Sequence, residues 1–463
     1  MGRSIDKCIV SLSAVTLLTV AKALTPQTAP VFDWMFSAAW AVFASFLAWD
    51  GVNGIINLFE RFSWRTAASS LAHFGAFLFI AATMVGSIIK ESEYLELSPE
   101  SKGVTRSFVA ELKEFRMEEY PAAVEVYKPQ NYNGQDWTIR IGRTLDYAMP
   151  DSASFHESRH FGATSAAYVT AEREGESVSG WVSCESCLFE PVTLQLGDSC
   201  YAYMPPRAPK AFISDLTLTT MDGRSEGTVS VGHPLKFKGW RIYQSGYDTK
   251  MGRWSTESDL LCVRDPFAPV RAAGLWMLIV SALAMLIAAP AAKSKSSRAG
   301  FVTAASVVFT LAFTWIVLKE MGIGQRQLPP VLRSAWFIPH LAAYMVGYAV
   351  LATATIAGIW SACSGKQGAA DITKLLVRIG WGLLTIGLTI GALWAKQAWG
   401  DFWSWDPKET WAAATWLCYL LYLHVSHKKA GTVILVLAFC LLQMCWWGLK
   451  LLPAVATSMH LYA

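Results

Sequence analysis

A polytopic α-helical membrane protein of about nine spans, carrying one external antiparallel β domain, is the fold this sequence predicts. Three observations predict it. The 463 residues are 53% hydrophobic and only 16% charged, which is too apolar for a wholly soluble enzyme of this length. A membrane span needs about 20 mostly apolar residues, and nine stretches approach that: 5–24, 32–49, 67–89, 268–290, 300–318, 338–362, 375–396, 409–425 and 431–449. Between the third and fourth of them lies a long polar gap, 91–267, whose residues alternate in polarity.

Taken in order, residues 1–90 hold three N-terminal spans. The first admits a second reading as a signal peptide, because Ala21-Lys22-Ala23 has the small-x-small look of a cleavage site; it is taken here as a retained span. The gap 91–267 contains strand-like runs at Ala123–Tyr127, Trp137–Ile141 and Val192–Leu196, divided by Gly, Pro, Asp and Ser turns, which predicts the β domain. Residues 268–299 supply a fourth span and a loop, and 300–463 the remaining spans, with a tryptophan-rich segment at 399–411. Lysine and arginine of short loops favour the cytoplasmic side. Arg3 and Lys7, Arg61 and Arg65, Lys293 to Arg298, Lys366 to Arg378, and Lys428 with Lys429 share one side if the N-terminus is cytoplasmic. The loop 319–335, with Lys319, Arg326 and Arg333, dissents. The β domain, the tryptophan segment and the C-terminus are then external. The net charge of +4 is scattered, without basic runs interleaved with aromatics, and this excludes nucleic acid as a partner.

Four of the chain's 21 tryptophans fall within thirteen residues, Trp399-Gly400-Asp401-Phe402-Trp403-Ser404-Trp405-Asp406-Pro407-Lys408-Glu409-Thr410-Trp411. Tryptophans gather at membrane surfaces because an indole is apolar with a single donor. Here Gly400, Asp406, Lys408 and Glu409 are interleaved at set positions, which an interfacial belt does not require. Broad aromatic faces with polar groups beside them suit a flat, apolar ring system such as haem, with its two charged propionates.

Of eight histidines, His73 and His424 lie within apolar spans, and His340 and His460 at the outer ends of two others. A lone membrane histidine is explained by an interhelical hydrogen bond or an interfacial anchor. Ionisable side chains in lipid are costly, however, and usually face a cavity or a site. By depth the four form an outer pair, His340 and His460, and an inner pair, His73 and His424. Haem iron takes one axial ligand on each face, and two neutral imidazoles from different helices meet that need.

The tryptophan segment matches every fixed position of WGxxWxWDxxExW, the "WWD" signature, and the chain resembles the fused cytochrome c synthetase of the System II maturation pathway. In that family a ResB/CcsB-like half precedes a ResC/CcsA-like half. Ala335-Trp336-Phe337-Ile338-Pro339-His340 and Ser458-Met459-His460-Leu461-Tyr462 resemble its two external histidine phrases. Ala72-His73 and Leu423-His424 resemble its transmembrane histidines, while Phe212-Ile213-Ser214-Asp215, Gly239-Trp240-Arg241-Ile242-Tyr243-Gln244 and Asp265-Pro266 resemble the ResB-type half. The chain is shorter than the long fused forms, so the resemblance is to a compact version. It implies cytochrome c biogenesis by a synthase of the haem-lyase type in the bacterial cytoplasmic (inner) membrane. Haem b, bis-histidine ligated, would pass from His73 and His424 to an external site holding the catalytic His340 and His460. Trp399, Trp403, Trp405, Asp406 and Trp411 would bind it there. Thioether bonds to the CxxCH cysteines of apocytochrome c would follow, with a thioredoxin-like reductant for those cysteines as a further partner. Spacing alone assigns no role to Asp406, Lys408 or Glu409.

Two other functions fit the same residues in part. A haem exporter or chaperone without ligase chemistry differs only in the last step. A transmembrane bis-histidine cytochrome, an electron carrier, explains the histidines but asks for neither the tryptophan segment nor the β domain. Among nine cysteines, Cys184, Cys187, Cys200 and Cys262 fall in the polar gap, with Cys184-Glu185-Ser186-Cys187 as a CxxC. In an oxidising compartment they read as disulfide partners, as a redox pair, or as a metal site.

Overall fold

The computed structural model describes residues 2–25, 30–287, 327–365, 367–425 and 428–451. The expected span at 300–318 and His460 lie outside the described residues. Three helices open the chain: α1 (Gly2–Leu24), α2 (Pro30–Glu60) and α3 (Trp64–Ile89). Fifteen strands follow, and then α4 (Ala268–Ile287), α5 (Phe337–Ser364), α6 (Gln367–Trp399), α7 (Pro407–His424) and α8 (Lys428–Leu451). Each expected span within the described residues is therefore a helix. Six of them, α2 to α6 and α8, are long and apolar enough to cross a membrane. The apolar run of α1, Cys8–Leu24, is shorter, and α7 begins with Lys408 and Glu409 in its first turn, which lowers its hydropathy.

The polar gap forms two β-sandwiches, one inserted into the other. In the first, the sheet β1-β15-β14-β13 (Glu91–Leu97, Ser258–Arg264, Trp240–Gly246, Leu235–Phe237) faces the sheet β12-β11-β3-β2 (Gly223–Ser230, Pro209–Thr220, Val109–Glu119, Lys102–Val104). Leu95, Leu97, Phe115, Leu216, Trp240, Ile242 and Leu260 fill the core between them. The two ResB-like phrases meet in this sandwich, where the Ser214 hydroxyl donates to Gln244 Oε1 at 2.6 Å and lies 2.7 Å from the Ser258 hydroxyl. The second sandwich comes from the chain between β3 and β11. Its sheets are β6-β5-β7-β8 (Ser154–Glu157, Thr138–Asp151, Thr164–Arg173, Glu176–Ser183) and β4-β10-β9 (Glu125–Tyr127, Cys200–Tyr203, Leu194–Gly197). All pairings are antiparallel, and the three strand-like runs predicted from alternation become β4, β5 and β9.

The first sandwich grows directly from the membrane helices. Lys90 alone separates α3 from β1, and β1 pairs with β15 from Glu91↔Arg264 to Leu97↔Ser258. Asp265, Pro266 and Phe267 then lead into α4. Beneath the strands α3 and α4 touch backbone to backbone, since a Cβ added to Gly75 would stand 2.9 Å from Gly274 O, and one on Gly274 2.7 Å from Gly75 O. The buried Ser281 hydroxyl donates across the same interface to Ala68 O at 2.7 Å. The C-terminal helices α5 to α8 share a separate core around Leu351, Val377, Leu384, Tyr419 and Leu435.

Candidate haem-handling site

Residues 400–406 form the tight connection between α6 and α7. Gly400 takes φ +84° and Trp405 φ +58°; for a tryptophan the left-handed conformation costs roughly 1–2 kcal/mol. Local hydrogen bonds hold the turn. Asp406 is the N-cap of α7, accepting from Lys408 N at 2.9 Å, while the Glu409 carboxylate reaches back to Asp406 N at 3.2 Å and Ser404 N at 2.8 Å. With Pro407 at the first helical position this is a capping box. Asp406 and Glu409 thus satisfy backbone donors that a helix start leaves open. The D-x-x-E spacing carried that signal in the sequence.

The four signature tryptophans face different neighbours. Trp411 is 2% exposed and packs with Ala23 of α1 and Cys445 of α8. Trp399 sits 6.1 Å from Trp394, in a cluster with Phe337 and Leu341. Trp403 and Trp405 are half-buried and edge-to-face at 5.7 Å. Trp405 also lies 4.7 Å from Phe36 and 5.5 Å from Trp40, both on α2. The interior indole N–H groups of Trp40, Trp403 and Trp411 have no acceptor among the described residues.

His340 stands in the first turn of α5 with its ring laid on the backbone of α6. A Cβ at Gly391 would stand 2.8 Å from His340 Cε1. Nδ1 donates to Gly387 O at 2.9 Å, and Tyr344 and Trp394 flank the ring at 4.9 and 5.7 Å. Through Trp394 and Trp399 the histidine is in contact with the tryptophan segment. A carbonyl only accepts, so in the neutral ring the proton sits on Nδ1 and the lone pair on Nε2, the orientation common in metal-ligating histidines. The inner pair repeats the device: Nδ1 of His73 donates to Ser69 O at 2.7 Å and Nδ1 of His424 to Leu420 O at 2.9 Å. The neighbours Ala72 and Leu420 belong to one apolar cluster built from α1, α2, α3, α4 and α7. His73 is half-buried and His424 exposed.

A charged cluster absent from the sequence-based expectations pins the tryptophan segment to the β domain. Lys396 Nζ contacts Asp265 Oδ2 at 3.0 Å and donates to Gly400 O at 2.9 Å. Asp401 pairs with Lys90 at 2.6 Å and with Arg271 at 3.4 Å, and Arg271 also pairs with Asp265. Both Arg271 and Lys396 lie over the Phe402 ring, at 5.3 and 5.4 Å. Burial alone would raise the Asp265 carboxyl, but the hydrogen bonds and charges of Arg271 and Lys396 outweigh it and hold the group below the usual carboxylate range. A charge inside an apolar run is the signal that could have found Arg271 and Lys396. Tyr243 and Val263, on the face of their sheet opposite the core, cover Gly400 at 3.1 and 3.3 Å from where its Cβ would stand. Gln397 adds a further tie, donating to Gly232 O at 2.6 Å and accepting from Trp336 Nε1 at 2.7 Å.

The cysteines of the β domain take no part in this arrangement. Cys184, Cys187, Cys200 and Cys262 are all free thiols, Cys262 in the core of the first sandwich and Cys184 and Cys200 in that of the second. Burial pushes the Cys184 thiol up to about 11 and Cys262 up to about 12, away from the thiolate that redox exchange requires. Among the described residues no group of three His, Cys, Asp or Glu could hold a metal ion.

Residues 58–289 match the ResB-like family and residues 269–456 the cytochrome C assembly protein family. The two matches overlap on α4, and neither covers residues 1–57. About a third of the chain is similar to proteins named "Cytochrome c biogenesis protein CcsA". The one from Chlamydomonas reinhardtii is 30% identical over 175 residues, 34% of this chain and 48% of the relative. The one from Prochlorococcus marinus (strain AS9601) is 32% identical over 190 residues, 31% and 62%. The one from Welwitschia mirabilis is 29% identical over 197 residues, 33% and 64%. The chain thus spans about half to two thirds of the length of these curated relatives. Helices and β domain together define a multi-pass membrane protein. The ResB-like match covers half the chain, and the chain belongs to that family, with a cytochrome c assembly half fused behind it in one polypeptide.

Proposed function

We propose that this protein conducts haem from the inner histidines His73 and His424 to an outer site at His340 and His460, and attaches it there to apocytochrome c. The observation that carries this reading is the seat of His340. Its ring is oriented by the Gly387 carbonyl and flanked by Trp394, whose ring lies tilted against Trp399 of the tryptophan segment at 6.1 Å. A ligand nitrogen and broad aromatic faces therefore stand together on the helix ends nearest the β domain. In attachment each cysteine S–H of a CxxCH motif adds across a haem vinyl group. A C–S bond forms, the vinyl π bond is lost, and the thiol proton passes to the other vinyl carbon, with no net change of oxidation state. Holding thiol and vinyl together replaces a bimolecular encounter by a local one. The histidine of CxxCH then displaces either His340 or His460 from the iron, and the other holds it until exchange. Haem b, bis-histidine ligated, is the form handled, and the apocytochrome cysteines arrive reduced by a thioredoxin-like partner. The chain works in the bacterial cytoplasmic membrane with nine spans, its N-terminus inside and the β domain and C-terminus outside.

The test is expression in a bacterium stripped of its own cytochrome c maturation machinery, with an exported CxxCH reporter. Haem that stays on the reporter after denaturation is the expected result, and it falls to background when His340 and His460 are both alanine. A red membrane protein without covalent haem on the reporter would make it an exporter or chaperone. Normal attachment by the double variant would refute the outer-site assignment.

A further inference from the structure

We propose that the N-terminal part of α2, which neither family match covers, forms part of the haem-holding surface, with the Trp40 indole N–H as a donor to a haem propionate. The inference rests on the haem-handling function above and extends it to a residue outside the signature. Three features of the outer end of α2 lead to it.

The first is the conformation of Trp405. A left-handed φ at a bulky residue persists only where its surroundings over-determine it. The ring is seated edge-on against Phe36 and tilted against Trp40. Contacts from α2 therefore compensate the strain, and the signature takes its shape with α2 as its wall. The second feature is the pair of indole donors bordering Trp405. Nε1 of Trp40 and Nε1 of Trp403 are both buried and have no acceptor among the described residues. Leaving a buried donor without an acceptor costs about 1–3 kcal/mol, and native structures rarely do so without a reason. An acceptor delivered by a ligand removes the cost. The third is the chemistry around them. The neighbours are aromatic, and Lys22 of α1 places its ammonium 5.4 Å from the Phe36 ring while paired with Asp33. A flat apolar ligand bearing carboxylates on one edge suits aromatic faces, orphaned N–H donors and a nearby cation together. Trp411, whose N–H also has no acceptor among the described residues, is enclosed by Ala23, Cys445 and other apolar residues.

The purified full-length protein is titrated with hemin and with hemin dimethyl ester, whose propionates cannot accept as carboxylates, and binding is read from the Soret band. The expected result is that wild type binds hemin about tenfold or more tightly than the ester, the size of a charge-assisted hydrogen bond. Trp40→Phe keeps the ring, loses that preference and leaves ester binding unchanged. Trp403→Phe, in the connecting turn, reduces the same preference. Equal binding of both probes by wild type overturns the proposal without recourse to a variant. So does a Trp40→Phe protein that weakens both probes equally, since the ring would then only pack. A wild-type protein that shifts the Soret band of neither probe would overturn the haem-handling reading as well.

Discussion

The tryptophan segment is gripped on two sides by different physics. On the β-domain side the contacts are ionic and enclosed: Asp265, Arg271 and Lys396 are nearly inaccessible, and Lys90 and Asp401 extend the cluster towards solvent. On the α2 side they are aromatic, with Phe36 and Trp40 against Trp405 and no ion pair between them. Buried ions hold one geometry, because any displacement leaves a charge unpaired. Aromatic pairs prefer offset or edge-to-face arrangements and strand no charge when they shift. The ionic grip therefore fixes position more strictly than the aromatic one.

The largest effect is expected from breaking the ionic grip. Asp265→Ala strands Arg271 and Lys396 without their shared carboxylate and should cost roughly 3–5 kcal/mol, measured as the thermal midpoint of the detergent-solubilised protein. Unchanged stability would mean that the cluster is a bystander. Its pH dependence has a definite sign. A carboxyl held below its ordinary value stabilises the fold above the unfolded-state value, near 3.9, and loses that contribution as pH falls through the lower folded-state value. The junction should therefore be insensitive to pH from 8 to 5 and weaken only in stronger acid, a weakening that Asp265→Asn removes. A sloping melt between pH 8 and 5 that disappears in Asp265→Asn would contradict the sign.

A smaller effect is expected where the histidine meets α6. Gly391→Ala drives a methyl group into the His340 ring and should cost about 1–3 kcal/mol of overpacking. The outer site should also lose haem during purification while haem at the inner pair is kept. Wild-type retention would place the ligand elsewhere. The smallest effect separates capping from ligand binding at Asp406. Asp406→Asn keeps a side-chain acceptor and should leave stability and haem retention within error, whereas Asp406→Ala costs about 1 kcal/mol of cap. Loss of haem in Asp406→Asn would place this carboxylate in the ligand-binding set.

The helices were legible because apolar runs of span length are a local signal, and β4, β5 and β9 because alternation is too. The two-sandwich plan was not, since it depends on β3 pairing with β11 across the whole inserted second sandwich. The candidate site divides in the same way. Residue types marked the tryptophans and histidines, and the outer-pair partner His460 and the span at 300–318 lie outside the described residues. The ion cluster draws on positions 90, 265, 271, 396 and 401, which only the fold brings together. The division of the signature among α1, α2, α8 and the β domain is equally non-local: Trp411 and Trp405 stand six residues apart and belong to different packing environments.

The glycine contact between α3 and α4 and the unbroken pairing of β1 with β15 make one continuous two-rod frame. It runs from within the apolar helices to the far edge of the first sandwich. Lys90 and Asp265 sit where rods become strands and both engage the ion cluster, so the turn at Gly400 and Asp401, which carries Trp403 and Trp405, takes its position from the same frame that carries the first sandwich.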